Sequence, residues 1–556
     1  MNSKFVILAV LDGWGVSAPS AGNAVSQAHT VNINRYQAGY PHTELQASGE
    51  SVGLPRGEAG NTETGHLNLG AGRIVYQDLM KINMSIADGA FFSNEALLGA
   101  IEHANKNNSN LHLMGLVGAG GVHSNLEHLF ALLQLCSRNK FSRVFLHIFT
   151  DGRDSPPTAA RIYIQKIREV MDREKVGTIA SIMGRYWAMD RDFRWERTEK
   201  AYNALTQGIG NMVKNPEEAI ESSYNDGKTD EFIEPSIICK QIDNKSSSNE
   251  PVALIKDNDS VIFFNFRVDR PRQLTRAFVF DDFKKAQSTI SFDPYLEKYK
   301  KKNIATPKIK SGIPFNRLPK IKNMYFTTMT EYEKGIENEG AKVVIRPENV
   351  LMPLGRVISE NGYKQLRASE SEKERFVTFY FNGQQEAPFD LEDRIIVASP
   401  KVATYDLRPE MSSIELTDSV LNKLKTVPDY KFILINYAAP DMVGHTGNIG
   451  SAVKACEVVD ECVARLANYT LAYDGVLIIT ADHGNVEEMI DAQSGQIETE
   501  HSTNPVPFIV ISKDYLGKGQ VLPTGILADI APTVLSLLGL PIPVEMTGRN
   551  LLGELS

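Results

Sequence analysis

Short, continuous runs of apolar residues recur along the chain, and a carboxylate follows each of them. FVILAVLD ends at Asp12, VFLHIFTD at Asp151, VIFFNFRVD at Asp269 and VLIITAD at Asp482, while FILINYAAPD reaches Asp441 after a short turn. Unbroken runs rich in Val, Ile and Phe are typical of strands buried on both faces of a parallel sheet. A carboxylate just past such a strand lies where open α/β sheets bind ligands. The pattern therefore predicts a ligand site at the carboxyl ends of the strands.

Segments with helical periodicity lie between these runs. NIGSAVKACEVVDECVARL has apolar residues at helical spacing, and Ser124 and Glu127 form a predicted capping box before LEHLFALLQL. The alternation of strands and helices predicts an α/β fold. Two stretches depart from it. We expect a polar loop at residues 243–250, and a solvated surface excursion rather than a binding segment at the lysine-rich residues 284–322.

Length and composition limit the class of protein. The chain has 556 residues, enough for two to four domains, and its 42% hydrophobic and 23% charged residues are typical of a soluble globular protein. A net charge of −9 provides no basic field, so we expect neither a nucleic-acid nor a membrane partner. The four cysteines lack CxxC spacing, which favours reduced thiols in a cytoplasmic protein. The N-terminal apolar run stops at Asp12 without a cleavage site, which indicates a strand rather than a signal peptide.

Histidine and aspartate are concentrated in three motifs near the C-terminus, APDMVGHTG, TADHGN and TEHSTNPVP. Asp441 and His445 are four residues apart, so one helical turn brings them to the same face. Carboxylates and imidazoles are ligands for divalent cations, and five such groups exceed what one open site needs. The motifs therefore predict two metal ions, with Asp12 and Thr62 as candidate ligands from the other end of the chain. The five groups are Asp441, His445, Asp482, His483 and His501.

Arginines are concentrated in the middle of the chain, in TDGRDSPP, GRYWAMDRD and FRVDRPR. A planar guanidinium binds carboxylate or phosphate through two parallel hydrogen bonds, and a ligand with both groups needs several of them. Beside predicted strand ends in an acidic protein, these arginines predict an anion pocket. Because the metal-ligand candidates come before residue 66 and after residue 441, the chain must leave the first domain and return to it. The arginines lie within that excursion.

Many long motifs, in one order from about residue 5 to residue 550, carry a resemblance to a known family. They are LDGWG, GNTETGHLNLGAGR, GVHSN, FTDGRDSPP, GRYWAMDRD, FRVDRPRQ, EKERFVTFYFNG, SPKVATYDLRPEM, PDMVGHTG, TADHGN and HSTNPVPF. The chain resembles the cofactor-independent phosphoglycerate mutases of the alkaline phosphatase superfamily. The resemblance implies an alkaline-phosphatase-like, mostly parallel sheet domain that binds metal and consists of residues 1–76 and 347–556. It also implies a second α/β domain, residues 77–346, which is inserted through two hinges and serves phosphotransfer and substrate binding.

The resemblance implies an activity and a set of cofactors. The activity is the interconversion of 3-phosphoglycerate and 2-phosphoglycerate by a monomer, without 2,3-bisphosphoglycerate. Two divalent ions take part, and many family members use manganese, although the ligand types alone leave manganese, zinc, cobalt and magnesium open. The implied ligands are Asp441, His445 and His501 for one ion, and Asp12, Asp482, His483 and the hydroxyl of Thr62 for the other.

The resemblance also assigns roles to the remaining candidates. Lys373 neutralises charge at the reacting phosphoryl group, and Asp154 is the base for the attacking hydroxyl. The residues implied to bind substrate are His123, Arg153, Asp154, Arg185, Arg191, Arg267, Arg270 and Lys373.

The nucleophile position departs from the family pattern. GNTETGH has Thr62 where the family motif has serine, and Thr64 where valine is common. A stiff, β-branched residue in a Gly-framed turn is not favoured by packing alone, although a helix cap or a side-chain turn would account for an isolated threonine. Threonine keeps a hydroxyl that a metal can acidify, so the resemblance implies a phosphothreonine intermediate at Thr62.

Two kinds of alternative function remain open from the sequence. A metal-dependent phosphatase or phosphodiesterase, or a phosphopentomutase, of the same superfamily would share the metal motifs, but the full set of arginines favours a phosphoglycerate. A non-catalytic protein that binds phosphorylated metabolites would need neither a nucleophile nor a base, and the presence of every metal and base candidate argues against it.

Overall fold

The computed structural model describes residues 3–241, 247–284, 314–317, 319–491 and 494–553. The chain forms two compact units. The first unit consists of Met1–Gln77 and Glu348–Ser556, and the second of Asp78–Pro347. Most of the lysine-rich stretch that we expect to be a surface excursion lies outside the described residues.

Strands and helices alternate through most of the described chain. The strands are β1 (Val6–Leu11), β2 (His42–Gln46), β3 (Leu111–Val117), β4 (Val144–Thr150), β5 (Thr178–Gly184), β6 (Asn211–Val213), β7 (Ser236–Gln241), β8 (Ser247–Pro251), β9 (Ser260–Phe263), β10 (Tyr325–Thr330), β11 (Ala341–Ile345), β12 (Lys364–Glu370), β13 (Glu392–Val397), β14 (Tyr430–Tyr437), β15 (Val476–Thr480), β16 (Val506–Ile511) and β17 (Gly525–Ile526). The α-helices are α1 (Ala24–Gln27), α2 (Val31–Gly39), α3 (Thr62–Ala71), α4 (Asp78–Asp88), α5 (Glu95–Lys106), α6 (Leu126–Arg138), α7 (Ala160–Glu174), α8 (Arg185–Ala188), α9 (Trp195–Gln207), α10 (Pro216–Asn225), α11 (Arg272–Val279), α12 (Leu354–Glu360), α13 (Ser413–Thr426), α14 (Ala439–Gly444), α15 (Ile449–Ala472) and α16 (Ile530–Leu537).

The sheet of the first unit is mostly parallel. Its strand order is β13-β12-β14-β1-β15-β16-β2-β17. The first five strands in this order are parallel to one another, and β16 is antiparallel to both of its neighbours. The central strand β1 is completely buried, and its Val6 pairs with Phe432 of β14. Because β14, β1 and β15 are adjacent and parallel, their carboxyl ends lie side by side. Asp441, Asp12 and Asp482 follow these three ends.

The second unit has a sheet of its own. Its strand order is β11-β10-β9-β3-β4-β5-β7-β6. The first six strands in this order are parallel to one another, β7 is antiparallel to β5 and parallel to β6, and β8 pairs with β7. Leu111 and Leu113 of β3 pack into one hydrophobic core, whereas Met114 and Leu116 pack into another. Successive side chains of a strand point to opposite faces, so a strand that is covered on both faces needs a continuous apolar sequence.

The α/β class and the mostly parallel sheets are confirmed. The runs predicted as buried strands form β1, β4, β14 and β15, and the long periodic segment forms α15. All four cysteines are buried and free of disulfides, in agreement with the prediction of reduced thiols. Among the helices that the structure describes, none is both long and apolar enough to cross a bilayer.

Three local predictions are wrong. The run VIFFNFRVD leaves the sheet at Phe263, well before Asp269. Phe264 and Phe266 stay buried without belonging to the strand, so the apolar run extends past the strand's end. Residues 247–251 form β8 rather than a loop, since pairing with β7 is made by the backbone and needs no apolar pattern; residues 243–246 lie outside the described chain. Helix α6 is capped by Asn125, because the hydroxyl of Ser124 donates instead to a carbonyl at the end of β3.

Candidate active site

Thr62 is the first residue of α3. Asn61 caps this helix by accepting a hydrogen bond from the backbone N–H of Thr64 at 3.0 Å, so capping is not the role of Thr62. The Oγ1 atom of Thr62 lies 2.9 Å from Nε2 of His483 and 3.0 Å from Nζ of Lys373. The hydroxyl is therefore buried at a helix N-terminus, where backbone N–H groups and the helix dipole favour an anion.

Two glycines of the same motif are required by close backbone approach. A Cβ atom at Gly60 would lie 2.0 Å from the carbonyl oxygen of Ala47, and one at Gly65 would lie 2.5 Å from the carbonyl oxygen of Asp482. Helix α3 therefore packs directly on the loop that follows β15, which brings Thr62 to the residues beyond that strand.

Asp441, His445 and His501 form one cluster. The Nε2 atoms of the two histidines are 3.1 Å apart and lie 3.3 Å and 3.2 Å from Oδ1 of Asp441. The Nδ1 atom of His445 is 2.7 Å from the carbonyl oxygen of Thr499, and that of His501 is 2.9 Å from the carbonyl oxygen of Gly60. A carbonyl oxygen only accepts, so each Nδ1 carries a proton and each Nε2 can present a lone pair to a metal ion.

Asp12, Thr62, Asp482 and His483 form a second cluster. Nε2 of His483 lies 3.5 Å from Oδ1 of Asp12 and 3.5 Å from Oδ2 of Asp482. Oδ1 of Asp12 is 3.5 Å from Oγ1 of Thr62. Asp482 is completely buried, and within the described chain its Oδ2 accepts no hydrogen bond. His66, which is not among the predicted ligands, has its Nδ1 3.2 Å from that same oxygen.

Negative charge is concentrated around the two clusters. Nζ of Lys373 is 2.6 Å from Oδ1 of Asp12 and 2.7 Å from Oδ2 of Asp441. Burial lowers the pKa of Lys373, but the charges of Asp12 and Asp441 outweigh burial and raise it. Burial likewise lowers the pKa of His483, whereas Asp482 and the neighbouring carboxylates raise it to about 9. The carboxylates therefore outnumber the fixed positive charge, which makes the site attractive to cations.

The donor set fits divalent cations, because buried carboxylates and imidazoles with available lone pairs are the ligands that first-row metals take. By distance, His483 lies near both clusters and His66 is a further candidate, so the division of ligands implied by the resemblance stays a prediction. Among the residues that the structure describes, two groups have all their ligand atoms within 4.8 Å of one another: Asp441, His483 and His501, and Asp12, His66 and Asp482.

In the second unit, arginines and aspartates gather beyond the carboxyl ends of adjacent parallel strands. Nη1 of Arg185 is 2.6 Å from Oδ1 of Asp151 and 2.5 Å from Oδ2 of Asp154. Nη1 of Arg191 is 2.7 Å from Oδ2 of Asp269. Burial raises the pKa of Asp154, but its hydrogen bond and ion pair with Arg185 outweigh burial and hold it below its ordinary value. Asp154 is therefore ionised at neutral pH and can accept a proton.

His123 lies between two of these carboxylates. Its Nε2 is 3.8 Å from Oδ2 of Asp154, and its Nδ1 is 3.6 Å from Oδ1 of Asp269. Burial lowers the pKa of His123 to about 3 with help from nearby arginines, although Asp269 opposes the shift, so the imidazole is neutral. Arg270 donates from Nη1 to the carbonyl of Met189 at 3.1 Å, and burial together with neighbouring arginines lowers its pKa to about 10.

The other two predicted substrate residues lie at the border of this cluster. Nε of Arg267 is 3.4 Å from Oδ1 of Asp269, and Nη1 of the more exposed Arg153 is 3.7 Å from Oε1 of Glu231. Burial is the largest cause of the low pKa of Arg270, and the neighbouring Arg185 and Arg191 lower it further. The arrangement can bind an anion.

Comparison with known proteins gives the family. A family model described as the N-terminus of BPG-independent PGAM matches residues 82–334. A 2,3-bisphosphoglycerate-independent phosphoglycerate mutase from Clostridium perfringens is 48% identical over 554 residues, which cover 100% of both chains. The chain belongs to the family of 2,3-bisphosphoglycerate-independent phosphoglycerate mutases. It is therefore an isomerase, and the predicted family is confirmed.

Further members of the phosphoglycerate mutase family agree. A 2,3-bisphosphoglycerate-independent phosphoglycerate mutase from Clostridium novyi is 48% identical over 551 residues, covering 99% of this chain and 100% of that protein. Crystal structures of Leishmania mexicana phosphoglycerate mutase at low cobalt concentration match with a TM-score of 0.57 and 26% identity, covering 99% of this chain and 98% of that one.

Four residues that the motifs leave without a role lie in or beside the clusters of this mutase. Asp151 and Asp269 are visible in the sequence as strand-end carboxylates, but nothing local shows that arginines are their partners. His66 lies one helical turn after Thr62, so a helical reading of that motif would have found it. Glu487 has no local signal, because three of its four donors, Gly15, Ser502 and Asn504, belong to other segments of the chain.

Proposed function

We propose that this mutase, which interconverts 3-phosphoglycerate and 2-phosphoglycerate, does so through a phosphothreonine at Thr62, and that it acts as a monomer. The observation that carries the proposal is the position of Thr62 Oγ1, 3.0 Å from Nζ of Lys373 and 2.9 Å from Nε2 of His483 at the start of α3. A hydroxyl is a weak nucleophile unless its surroundings stabilise the deprotonated form. The neighbouring ammonium group of Lys373 and the helix N-terminus support that role.

Chain residues are available for two divalent cations, Mn²⁺ in this proposal. When bound, the cations would polarise phosphoryl oxygens and lower the pKa of the Thr62 hydroxyl. Lys373 adds a fixed positive charge beside Oγ1, which would stabilise the charge on the phosphoryl group as it is transferred. The residues that would hold the cations are Asp12, Thr62, Asp441, His445, Asp482, His483 and His501.

The reaction consists of two transfers that mirror each other. In the first, Thr62 Oγ1 forms a bond to phosphorus, the bond from phosphorus to the C3 oxygen breaks, and that oxygen takes up a proton. In the second, the C2 hydroxyl gives its proton to Asp154 as its oxygen attacks phosphorus, and the bond to Thr62 Oγ1 breaks. Two protons are released, one by the Thr62 hydroxyl in the first transfer and one by Asp154 after the second. Two are taken up, by the C3 oxygen and by Thr62 Oγ1, so no net proton is consumed.

The second unit would retain glycerate between the two transfers. Arginine is suited to this task because its planar donor fork binds a carboxylate with defined orientation. The neutral imidazole of His123 can donate to or accept from a hydroxyl without adding charge. In this proposal glycerate is held by His123, Arg153, Asp154, Arg185 and Arg191, and the phosphoryl group is bound by Arg267, Arg270 and Lys373.

The test compares the wild-type protein with Thr62→Ser, Thr62→Ala and Thr62→Val. Valine is the matched control, because it keeps the branched shape of threonine and lacks only the hydroxyl. Each protein is incubated with 3-phosphoglycerate and Mn²⁺ without 2,3-bisphosphoglycerate. The reaction is quenched with EDTA and acid. The products are identified by phosphorus NMR, and the mass of the peptide that contains Thr62 is measured by mass spectrometry.

We expect 2-phosphoglycerate from the wild type and from Thr62→Ser, and a phosphate on the Thr62 peptide of the quenched wild type. Thr62→Ala and Thr62→Val should be at least about 10³-fold slower, because loss of a nucleophile removes the covalent route. Activity in Thr62→Val would exclude the phosphothreonine. Inorganic phosphate as the main product would show a phosphatase, and binding without any product would show a non-catalytic homologue.

A further inference from the structure

The carboxylate of Glu487 is a buried junction in the first unit. Glu487 follows β15 and is 1% exposed. Its Oε2 accepts hydrogen bonds from the backbone N–H groups of Gly15 at 2.9 Å and Asn485 at 2.8 Å. Its Oε1 accepts from the hydroxyl of Ser502 and, at 3.0 Å, from Nδ2 of Asn504. Both oxygens are thus used by donors from three separate segments of the chain.

Each of these segments carries candidate metal ligands. Gly15 belongs to the loop that begins with Asp12, and Ser502 directly follows His501. Asn485 belongs to the loop of Asp482 and His483, and its own Nδ2 donates to Oδ1 of Asp441 at 2.9 Å. One carboxylate therefore connects the loops of both clusters.

The backbone is shaped around this carboxylate. A Cβ atom at Gly15 would lie 2.2 Å from the carboxyl carbon of Glu487, and one at Gly484 would lie 2.4 Å from its Oε1. Both loops approach the carboxylate more closely than any residue with a side chain could. The close approach leaves little freedom in the positions of the ligands that precede these glycines.

We propose that Glu487 is a positioning residue that sets the metal affinity of both clusters by holding three ligand-bearing loops together. Ligands from distant parts of a chain bind a metal ion tightly only if they are held in place before it arrives, and loss of an outer partner typically costs about 10–100-fold in affinity. The inference rests on the proposed metal ligands, but it does not depend on phosphate transfer or on Thr62 as nucleophile.

Asp460 of α15 provides a matched control. It is also 1% exposed, and it accepts hydrogen bonds from the backbone N–H groups of Ile33 at 2.7 Å and Asn32 at 3.2 Å. Like Glu487 it joins distant segments, here α15 and α2, but neither helix carries a metal-ligand candidate. An effect that comes only from weaker packing should therefore appear equally in Asp460→Ala and Glu487→Ala.

Two variants of Glu487 differ in how many of its hydrogen bonds they remove. In Glu487→Gln one oxygen remains for the two backbone N–H groups, while the new NH₂ group must face Ser502 and Asn504, whose hydroxyl and amide can turn to accept. In Glu487→Ala both buried N–H groups lose their acceptor. We expect Mn²⁺ affinity to fall by a few-fold in the first variant and by about 10–100-fold in the second.

The experiment is a titration of the full-length, EDTA-treated protein with Mn²⁺, with free Mn²⁺ measured by electron paramagnetic resonance and without substrate. Thermal unfolding of the same apoproteins gives the loss of stability. The inference predicts graded loss of affinity in the Glu487 variants, and Mn²⁺ affinity within about twofold of wild type in Asp460→Ala, at similar losses of melting temperature.

Affinity that is unchanged in Glu487→Ala, or lost equally in Asp460→Ala, would overturn the inference. If Glu487→Ala does not fold, Glu487→Gln is compared with Asp460→Ala instead. A few-fold loss of Mn²⁺ affinity in Glu487→Gln alone would support the inference, and unchanged affinity would overturn it. Because the readout is metal affinity, a protein whose Thr62 variants contradict the phosphothreonine can still support the inference.

Discussion

Replacement of Lys373 by methionine should destabilise the apoprotein and at the same time tighten metal binding. Nζ of Lys373 lies 2.6 Å from Oδ1 of Asp12 and 2.7 Å from Oδ2 of Asp441, and the side chain is buried. Methionine has a similar length and no charge, so the variant removes the ammonium group with little change in packing. The carboxylates would then be buried without their cation.

The magnitude follows from the role of the ammonium group as the partner of two buried carboxylates. Removing one member of a buried ion pair costs about 3–5 kcal/mol, because the other charge is left without compensation. Divalent cations would supply that compensation, so we expect a loss of about 3 kcal/mol in the apoprotein and about 1 kcal/mol in the metal-loaded protein. By linkage, the difference of about 2 kcal/mol appears as about 30-fold tighter metal binding.

The assay measures chemical unfolding with EDTA and with saturating Mn²⁺, together with a direct Mn²⁺ titration. Arg367→Met is the control, because Arg367 is a completely buried cation of the same unit whose Nη2 donates to Gln365 and Asn382. That variant should lose stability equally in both conditions. Metal affinity in Lys373→Met that is unchanged or weaker than in wild type would refute the reasoning.

Two further predictions concern other buried acids. Asp151→Asn should raise KM for 3-phosphoglycerate by about tenfold, because the Arg185 guanidinium loses one of its two carboxylates and its fixed position; steady-state kinetics measure this, and an unchanged KM would contradict it. Burial raises the pKa of Glu370 to about 7, so its contribution to stability is present below about pH 4.5 and is lost as pH rises to 7. Glu370→Gln should therefore gain up to about 3 kcal/mol over wild type at pH 8 and nothing at pH 4.5, and a pH-independent difference in urea unfolding would exclude the effect.

The sequence predicts the elements whose burial is visible in their own residues. Strand β1 has a continuous apolar run because both faces of the sheet are covered, and α15 has helical spacing because one side faces the core. The end of β9 cannot be predicted in this way. Phe264 and Phe266 are both buried like strand residues. The N–H of Phe264 still donates to Met114 of β3, whereas that of Phe266 donates to the carbonyl of His123 beyond the strand, and a hydrophobic pattern carries no information about that change of partner.

The same limit applies to the site. The residues that a motif identifies are those whose chemistry is unusual for their position, such as Thr62 in a glycine-framed turn. The residues that hold them in place are ordinary acids whose partners lie far away in sequence. Glu487 accepts a hydrogen bond from Gly15, which lies 472 residues earlier in the sequence. Asp151 pairs with Arg185, from which it is separated in sequence by a helix and a strand. Only the folded structure shows these contacts.

The two units place acids at equivalent positions and use them in opposite ways. Asp12 follows β1 and Asp151 follows β4, and both are buried at the carboxyl end of a strand in a parallel sheet. Asp12 lies near an imidazole and a lysine in a surplus of carboxylates, which makes it a candidate ligand for a cation. Asp151 lies against the buried guanidinium of Arg185, where it orients a group that can bind an anion. The fold therefore sets where a site forms, and the neighbouring side chains set the charge of what it binds.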